Sequence, residues 1–299
     1  MFKSCLCLVL SLTIAIWQPA NASAKVVVFG DSLSETGNFF AATQGTLPPS
    51  PLYFNGRFSN GPAWIEHLAI ALDEEVPLPS LMGGTNFAFN GARAFGASPY
   101  GTPDVATQVD QFLAAVGGVA SADDVYVLWA GANDIFFGAL SGETSFVPNA
   151  IGSITAAIRK LHNAGARNFV VLDLPQLGQT PFFNTNPTLS IQLNLVTNSF
   201  NSALASELKL LRRNLARVQI ADIKISSLFQ LISRAPRLFQ LRNVKNSATA
   251  FDPVSGIGYA ILPNVRPDEY LFWDSVHPTA QGHKIIARYA QLELRLQCR

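Results

Sequence analysis

After Lys25 the chain runs Val26-Val27-Val28-Phe29, apolar without alternation, and stops at Gly30-Asp31-Ser32. Such a run predicts a strand buried on both faces. Comparable runs recur at Asn86–Asn90, Val125–Ala130, Asn168–Leu172 and Arg217–Ile223. Helical spacing fills the gaps. Ser59-Asn60-Gly61-Pro62 supplies cap chemistry ahead of Trp64, Leu68 and Leu72. Gln108 to Val116 is a short second helix, and Ile151 to His162 a third that Asn163-Ala164-Gly165 stops. Leu193, Val196, Phe200, Leu204, Leu208 and Leu211 share one face of a long helix, as do Ile285, Tyr289, Leu292 and Leu296 near the end. Strands alternating with helices predict an α/β fold with a parallel sheet covered on both sides. Residues 40–60 and 240–270 lack periodicity and read as loops on the site-bearing side.

The first 24 residues stand apart. Lys3, an apolar stretch from Cys5 to Trp17 and a small-residue Ala22-Ser23-Ala24 predict an export signal cut near Ala24. The stretch is too short to span a bilayer, which takes about 20 residues. Cleavage would remove Cys5 and Cys7, leaving Cys298 as the one thiol, and would deliver the chain outside the cytoplasm, extracellular or periplasmic. No repeat, linker or charge block divides residues 25–299, so they are expected to form a single domain. The chain stops at Arg299 soon after its last motif, and no barrel domain is expected beyond it.

Composition narrows the function. Charged residues are 14% and the net charge is +1, which excludes a disordered chain and gives no overall field for nucleic acid. The charge is unevenly spread. Residues 25–150 hold 3 basic and 12 acidic groups, whereas Lys209 to Lys245 holds nine basic residues against Asp222 alone. That stretch reads either as a solvated face or as a surface for anionic lipid, with Leu238, Phe239 and Leu241 among its arginines.

Chemistry gathers at the ends of the predicted strands. Ser32, on a tight turn after the first strand, would expose its Oγ at the carboxyl edge of the sheet and its N–H near a helix start; the plainer reading is a turn serine. Position 34 is Ser, so this is not the Gly-x-Ser-x-Gly elbow. Asp274 precedes His277 by three residues and can reach its ring to fix the tautomer, or either residue can cap the last helix. Asn133 could donate its side-chain amide to an oxyanion, and Gly91 admits a close backbone N–H; both are also ordinary turn residues. Asp31 and Asp134 are read as support or turn residues, and His67, His162 and His283 as structural.

Taken together, these blocks resemble the GDSL, or SGNH, hydrolase superfamily of lipases and esterases, of a secreted bacterial type. The resemblance rests on Phe29-Gly30-Asp31-Ser32-Leu33-Ser34, Asn86 to Ala92, Gly131-Ala132-Asn133-Asp134 and Asp274 to Thr279. Asn55 to Pro62 matches a feature of the longer lipolytic branch. The resemblance implies a three-layer α/β/α sandwich with a five-stranded parallel sheet, flavodoxin-like in outline. It implies Ser32 as nucleophile, His277 as base, Asp274 as its partner, and an oxyanion hole of the Ser32 and Gly91 N–H groups with Asn133. Neither metal nor organic cofactor is called for. The branch implies acyl-ester or lipid substrates, lysophospholipids included. The rival readings are a lipid acyltransferase, a carbohydrate deacetylase, a metal-dependent phosphohydrolase using Asp31, Asn133, Asp134, His277 and His283, and a non-catalytic binding protein.

Overall fold

The structure, a computed structural model, describes residues 24–297, the side chains of residues 139–141 excepted. The expected export signal, with Cys5 and Cys7, and Cys298 lie outside the described residues.

Four strands form the central sheet: β1 (Val26–Gly30), β2 (Val125–Trp129), β3 (Asn168–Leu172) and β4 (Gln219–Ile223). They lie in that order, all parallel, with Val28 opposite Val127 and Val127 opposite Val170. Every residue of β1 and β2 is buried, as strands covered on both faces require. Arg217 and Val218 stay outside β4 because Arg217 takes φ +55°.

The expected fifth strand is a correction. Asn86–Asn90 flanks β1, with Phe87 N donating to Val28 O (2.7 Å) and Phe89 N to Gly30 O (3.2 Å). Of this run only Asn86 forms bridges, parallel ones to Val28 and to Pro79. Asn86 explains why the run does not extend: its Oδ1 accepts the Ala88 N–H (3.0 Å) and its Nδ2 donates to Ser34 O (2.8 Å). A side chain that takes local backbone bonds competes with the ladder.

The helices are α1 (Asn38–Ala42), α2 (Trp64–Ala71), α3 (Val105–Ala115), α4 (Ala132–Ser141), α5 (Phe146–Ala164), α6 (Pro187–Asn214), α7 (Ile225–Arg234) and α8 (Ala280–Gln297). Among them α3, α5 and α6 pack in succession, while α2 and α7 pack on α8, which supplies the two outer layers. Ser59 does not cap α2; its Oγ donates to Pro278 O (2.9 Å), and the Glu66 carboxylate accepts the Ala63 N–H instead (2.7 Å). Helix α3 starts earlier than its apolar pattern because Asp104 accepts the Thr107 N–H at its N-cap (2.9 Å).

Residues 240–270 are not all loop. They hold β5 (Asn243–Ser247), β6 (Thr249–Phe251) and β7 (Gly258–Ile261), and β8 (Tyr270–Phe272) follows. β5 runs parallel to β8, and β6 and β7 form an antiparallel hairpin. Strands of three to five residues are too short to show a period in the sequence. Beneath them Phe39, Tyr53, Phe58, Ala248 and Trp273 make a second, smaller core.

Candidate active site

Three chain segments leave the carboxyl edge of the sheet side by side: residues 31–34 after β1, residues 91–94 after the flanking run, and the start of α4 after β2. This edge is where open α/β sheets bind ligands. A fourth segment, 273–279, crosses from β8 to α8 and closes the group.

The Ser32 Oγ lies 2.8 Å from His277 Nε2. The other ring nitrogen, Nδ1, is 2.9 and 2.8 Å from the two oxygens of Asp274. Asp274 is fully buried, and its Oδ1 also accepts the N–H groups of Val276 (3.0 Å) and His277 (2.9 Å). The carboxylate thus orients the ring so that Nδ1 carries a proton and Nε2 faces the serine. The ring of Phe58 lies over the imidazole at 5.1 Å.

Gly91 and Asn133 join the same cleft. Gly91 has φ +66°, and a Cβ there would run into the Tyr100 ring. Among the described residues, the N–H groups of Ser32 and Gly91 have no protein acceptor. Asn133 Nδ2 donates to Ala92 O (2.9 Å), and since an amide nitrogen carries two hydrogens, one remains for a ligand. Three unspent donors therefore belong to residues that line the same cleft as the Ser32 hydroxyl.

Buried acids support this edge from below. The Asp31 carboxylate accepts the Leu33 N–H (3.0 Å) and is pushed up to about 7 by burial. Asp134 accepts the N–H groups of Ala94 (2.7 Å) and Phe95 (3.1 Å), which fastens the segment after Gly91; burial raises it to about 6. His283 accepts the Trp64 N–H at Nδ1 (3.1 Å) and is pushed down to about 3 by burial, so it ties α8 to α2 as a neutral ring. His67 sits half-buried near Lys284 and Arg288, and His162 Nε2 bonds Ala216 O (2.9 Å). Among the described residues, no group of three His, Cys, Asp or Glu side chains could hold a metal ion.

Glu35, wholly buried, is pushed up to about 8, first by burial, against the lowering effect of N–H groups such as that of Phe39. A folded state that prefers the protonated carboxyl gains stability at low pH and loses it as pH rises from the unfolded value through about 8. Glu35→Gln cannot ionise. Its melting temperature should fall less than that of the wild type between pH 5 and 9, and scanning calorimetry at both pH values checks this.

The cleft encloses about 1200 Å³ of space, part of it open to solvent. Its wall is largely apolar, with many aromatic rings. Phe136 stacks on Phe183 (5.0 Å), which meets Phe182 edge-on (4.8 Å); Phe182 leads to Phe251 of the hairpin (6.4 Å).

The GDSL-like Lipase/Acylhydrolase family model matches residues 26–290. The chain belongs to that family. It is 27% identical to a phosphatidylcholine-sterol acyltransferase of Aeromonas hydrophila, across 96% of this chain and 94% of the relative. It is 29% identical to a thermolabile hemolysin of Vibrio parahaemolyticus, across 91% of this chain but 64% of that protein. Among solved structures it is similar to a lipolytic G-D-S-L family member from Veillonella parvula, at 16% identity and TM-score 0.46, covering 90% of this chain and 96% of that one. The protein is a carboxylic ester hydrolase of the esterase/lipase type.

Two residues against the site carry no signal in the sequence. Phe58 lies within the Asn55 to Pro62 block, but nothing there assigns it a place over the imidazole. Tyr53, in a stretch that reads as loop, bonds Asp274 (2.5 Å) across 221 positions, and nothing local to residue 53 signals that.

Proposed function

We propose that this chain is an exported serine esterase of fatty-acyl lipids, lysophospholipids included, working through an acyl-enzyme on Ser32. The observation that carries the reading is the Ser32–His277–Asp274 relay opening beside unspent N–H donors onto an aromatic cleft. Ser32 Oγ attacks the ester carbonyl carbon as its proton passes to His277 Nε2. The oxyanion rests on the Ser32 and Gly91 N–H groups and on Asn133. The bond to the alcohol breaks as the imidazolium returns the proton to the leaving oxygen. Water, activated by His277, then cleaves the acyl-enzyme. The aromatic wall suits an acyl chain, since apolar contact is gained along each methylene at about 0.8 kcal/mol.

Labelling by a fluorophosphonate, followed by turnover on acyl esters and lysolipids, tests this. An unlabelled protein would overturn it. A second acceptor in place of water gives the acyltransferase reading, which the likeness to the Aeromonas enzyme favours; adding a sterol or alcohol to the same assay separates the two by product. Asn133→Ala should lower kcat by about 100- to 1,000-fold if its amide meets the oxyanion, and a twofold loss would leave it a turn residue.

In this reading residues 25–299 form one catalytic domain released by cleavage after Ala24. The basic stretch is proposed to meet anionic lipid. Lys209, Arg212, Arg213, Arg217, Arg234, Arg237, Arg242 and Lys245 are exposed, as is Leu238, whereas Leu241 is buried in the core and drops out of that surface. Lys224 is paired with Asp222 (2.6 Å). Vesicle co-sedimentation of Ser32→Ala should rise with anionic lipid and fall with salt, because such attraction is screened within about 10 Å at 0.1 M.

A further inference from the structure

The Tyr53 hydroxyl is buried between two groups that determine what it can do. Gly258 N–H donates to its oxygen (2.7 Å), and the hydroxyl donates to Asp274 Oδ2 (2.5 Å). A backbone N–H can only donate and a carboxylate only accept, so the single phenolic proton has one destination. Burial pushes the hydroxyl upward, and the neighbouring Asp274 charge adds to that, so the proton stays in place throughout the working range.

The ring is held as firmly as the hydroxyl. It meets Trp273 edge-on at 6.3 Å and Phe58 at 6.1 Å, and Phe58 in turn covers His277. Gly258 begins β7, and a Cβ there would strike Thr249 Oγ1. Residues 254–257, just before it, line the cleft. The hairpin that walls the substrate space is thus joined to the carboxylate behind the histidine through one phenol.

We propose that Tyr53 is a positioning residue for ester hydrolysis, which holds Asp274 to His277. The two oxygens of Asp274 show why one is needed. Oδ1 is anchored by two backbone N–H groups, from Val276 and His277. Apart from the imidazole, Oδ2 has only Tyr53 among the described residues. Without the phenol, that oxygen is free to swing, and its charge falls more heavily on the ring. The groups facing His277 are Asp274 with Tyr53 behind it, Ser32 and Asp31 from the end of β1, and His283 from α8. Of these, Tyr53→Phe alters only the phenol and keeps the aromatic packing.

This inference rests on the proposed relay, so Ser32→Ala is measured beside it: an active Ser32→Ala protein would overturn the relay itself, whatever Tyr53 does. With the relay intact, Tyr53→Phe should lower kcat by about 10- to 100-fold with KM within about threefold, as expected for a lost bond to a charged group. The acid limb of kcat/KM should move to higher pH, because a carboxylate with one donor fewer stabilises the imidazolium more. Thr249→Val, which removes the Thr249 Oγ1 bond to Trp273 O (2.7 Å) and leaves Asp274 untouched, is the control for hairpin stability. It should lower the melting temperature and leave the limb where it is. A Tyr53→Phe limb that coincides with the wild type, with or without a fall in kcat, would overturn the positioning role and leave Tyr53 a packing residue.

Discussion

Ser32→Ala should abolish ester hydrolysis and leave the protein folded. The side chain is half-buried and its hydroxyl makes one protein contact, to His277 Nε2 at 2.8 Å. Losing that bond costs about 1 kcal/mol of stability. Losing the nucleophile removes the covalent path altogether, and in serine hydrolases of this logic kcat falls by about a million-fold. The check is turnover of a chromogenic short-chain ester beside a thermal melt. Turnover near the wild-type rate would remove Ser32 from the mechanism, since among the described residues it is the serine that bonds His277 Nε2.

Asp274→Asn should be almost as damaging for a different reason. All four groups around the carboxylate are donors: the N–H groups of Val276 and His277, the Tyr53 hydroxyl and His277 Nδ1. An amide places an NH₂ against at least one of them. If that one is the imidazole, the ring turns to the tautomer whose Nε2 carries the proton and cannot accept one from Ser32. Such a change lowers kcat by about 10⁴-fold in a related triad. The mismatch also leaves a buried donor without an acceptor, so the melt should fall by the equivalent of about 1–3 kcal/mol. Steady-state kinetics at saturating substrate measure the first effect, and a loss below tenfold would show that His277 works without its partner.

Much of this arrangement is legible in the amino-acid sequence. Ser32, Gly91, Asn133, Asp274 and His277 each sit beside an apolar run or a helix start, and a short block of unusual residues marks each of them. The structure brings Ser32, Gly91, Asn133 and His277 to one cleft, with Asp274 buried behind the His277 ring. The helices with long apolar stripes are also visible, because burial on one face writes a 3.6-residue period into the chain. Boundaries that side-chain hydrogen bonds decide are not legible. The Asn86 amide interrupts an expected strand, and Asp104 rather than an apolar residue starts α3. Helix α4 shows no clear stripe in the sequence because Phe136 and Phe137, in its middle, line the cleft, Phe136 packing against the core as well.

The alternating α/β order, the positions of the reactive groups along it and the family are all read from residue order alone. These are local properties: a buried strand, a helix stripe and a turn motif each depend on residues a few positions apart. Tertiary packing sets which donors remain unspent in the cleft beside Ser32, and lines that cleft with aromatic rings from α4 and residues 182–183. It also decided that Tyr53 stands behind Asp274. Those facts depend on pairs separated by tens to hundreds of residues, such as Tyr53 with Asp274 or Ser32 with His277. No periodicity connects such pairs; the packing of the sheet edge against the second core brings them together.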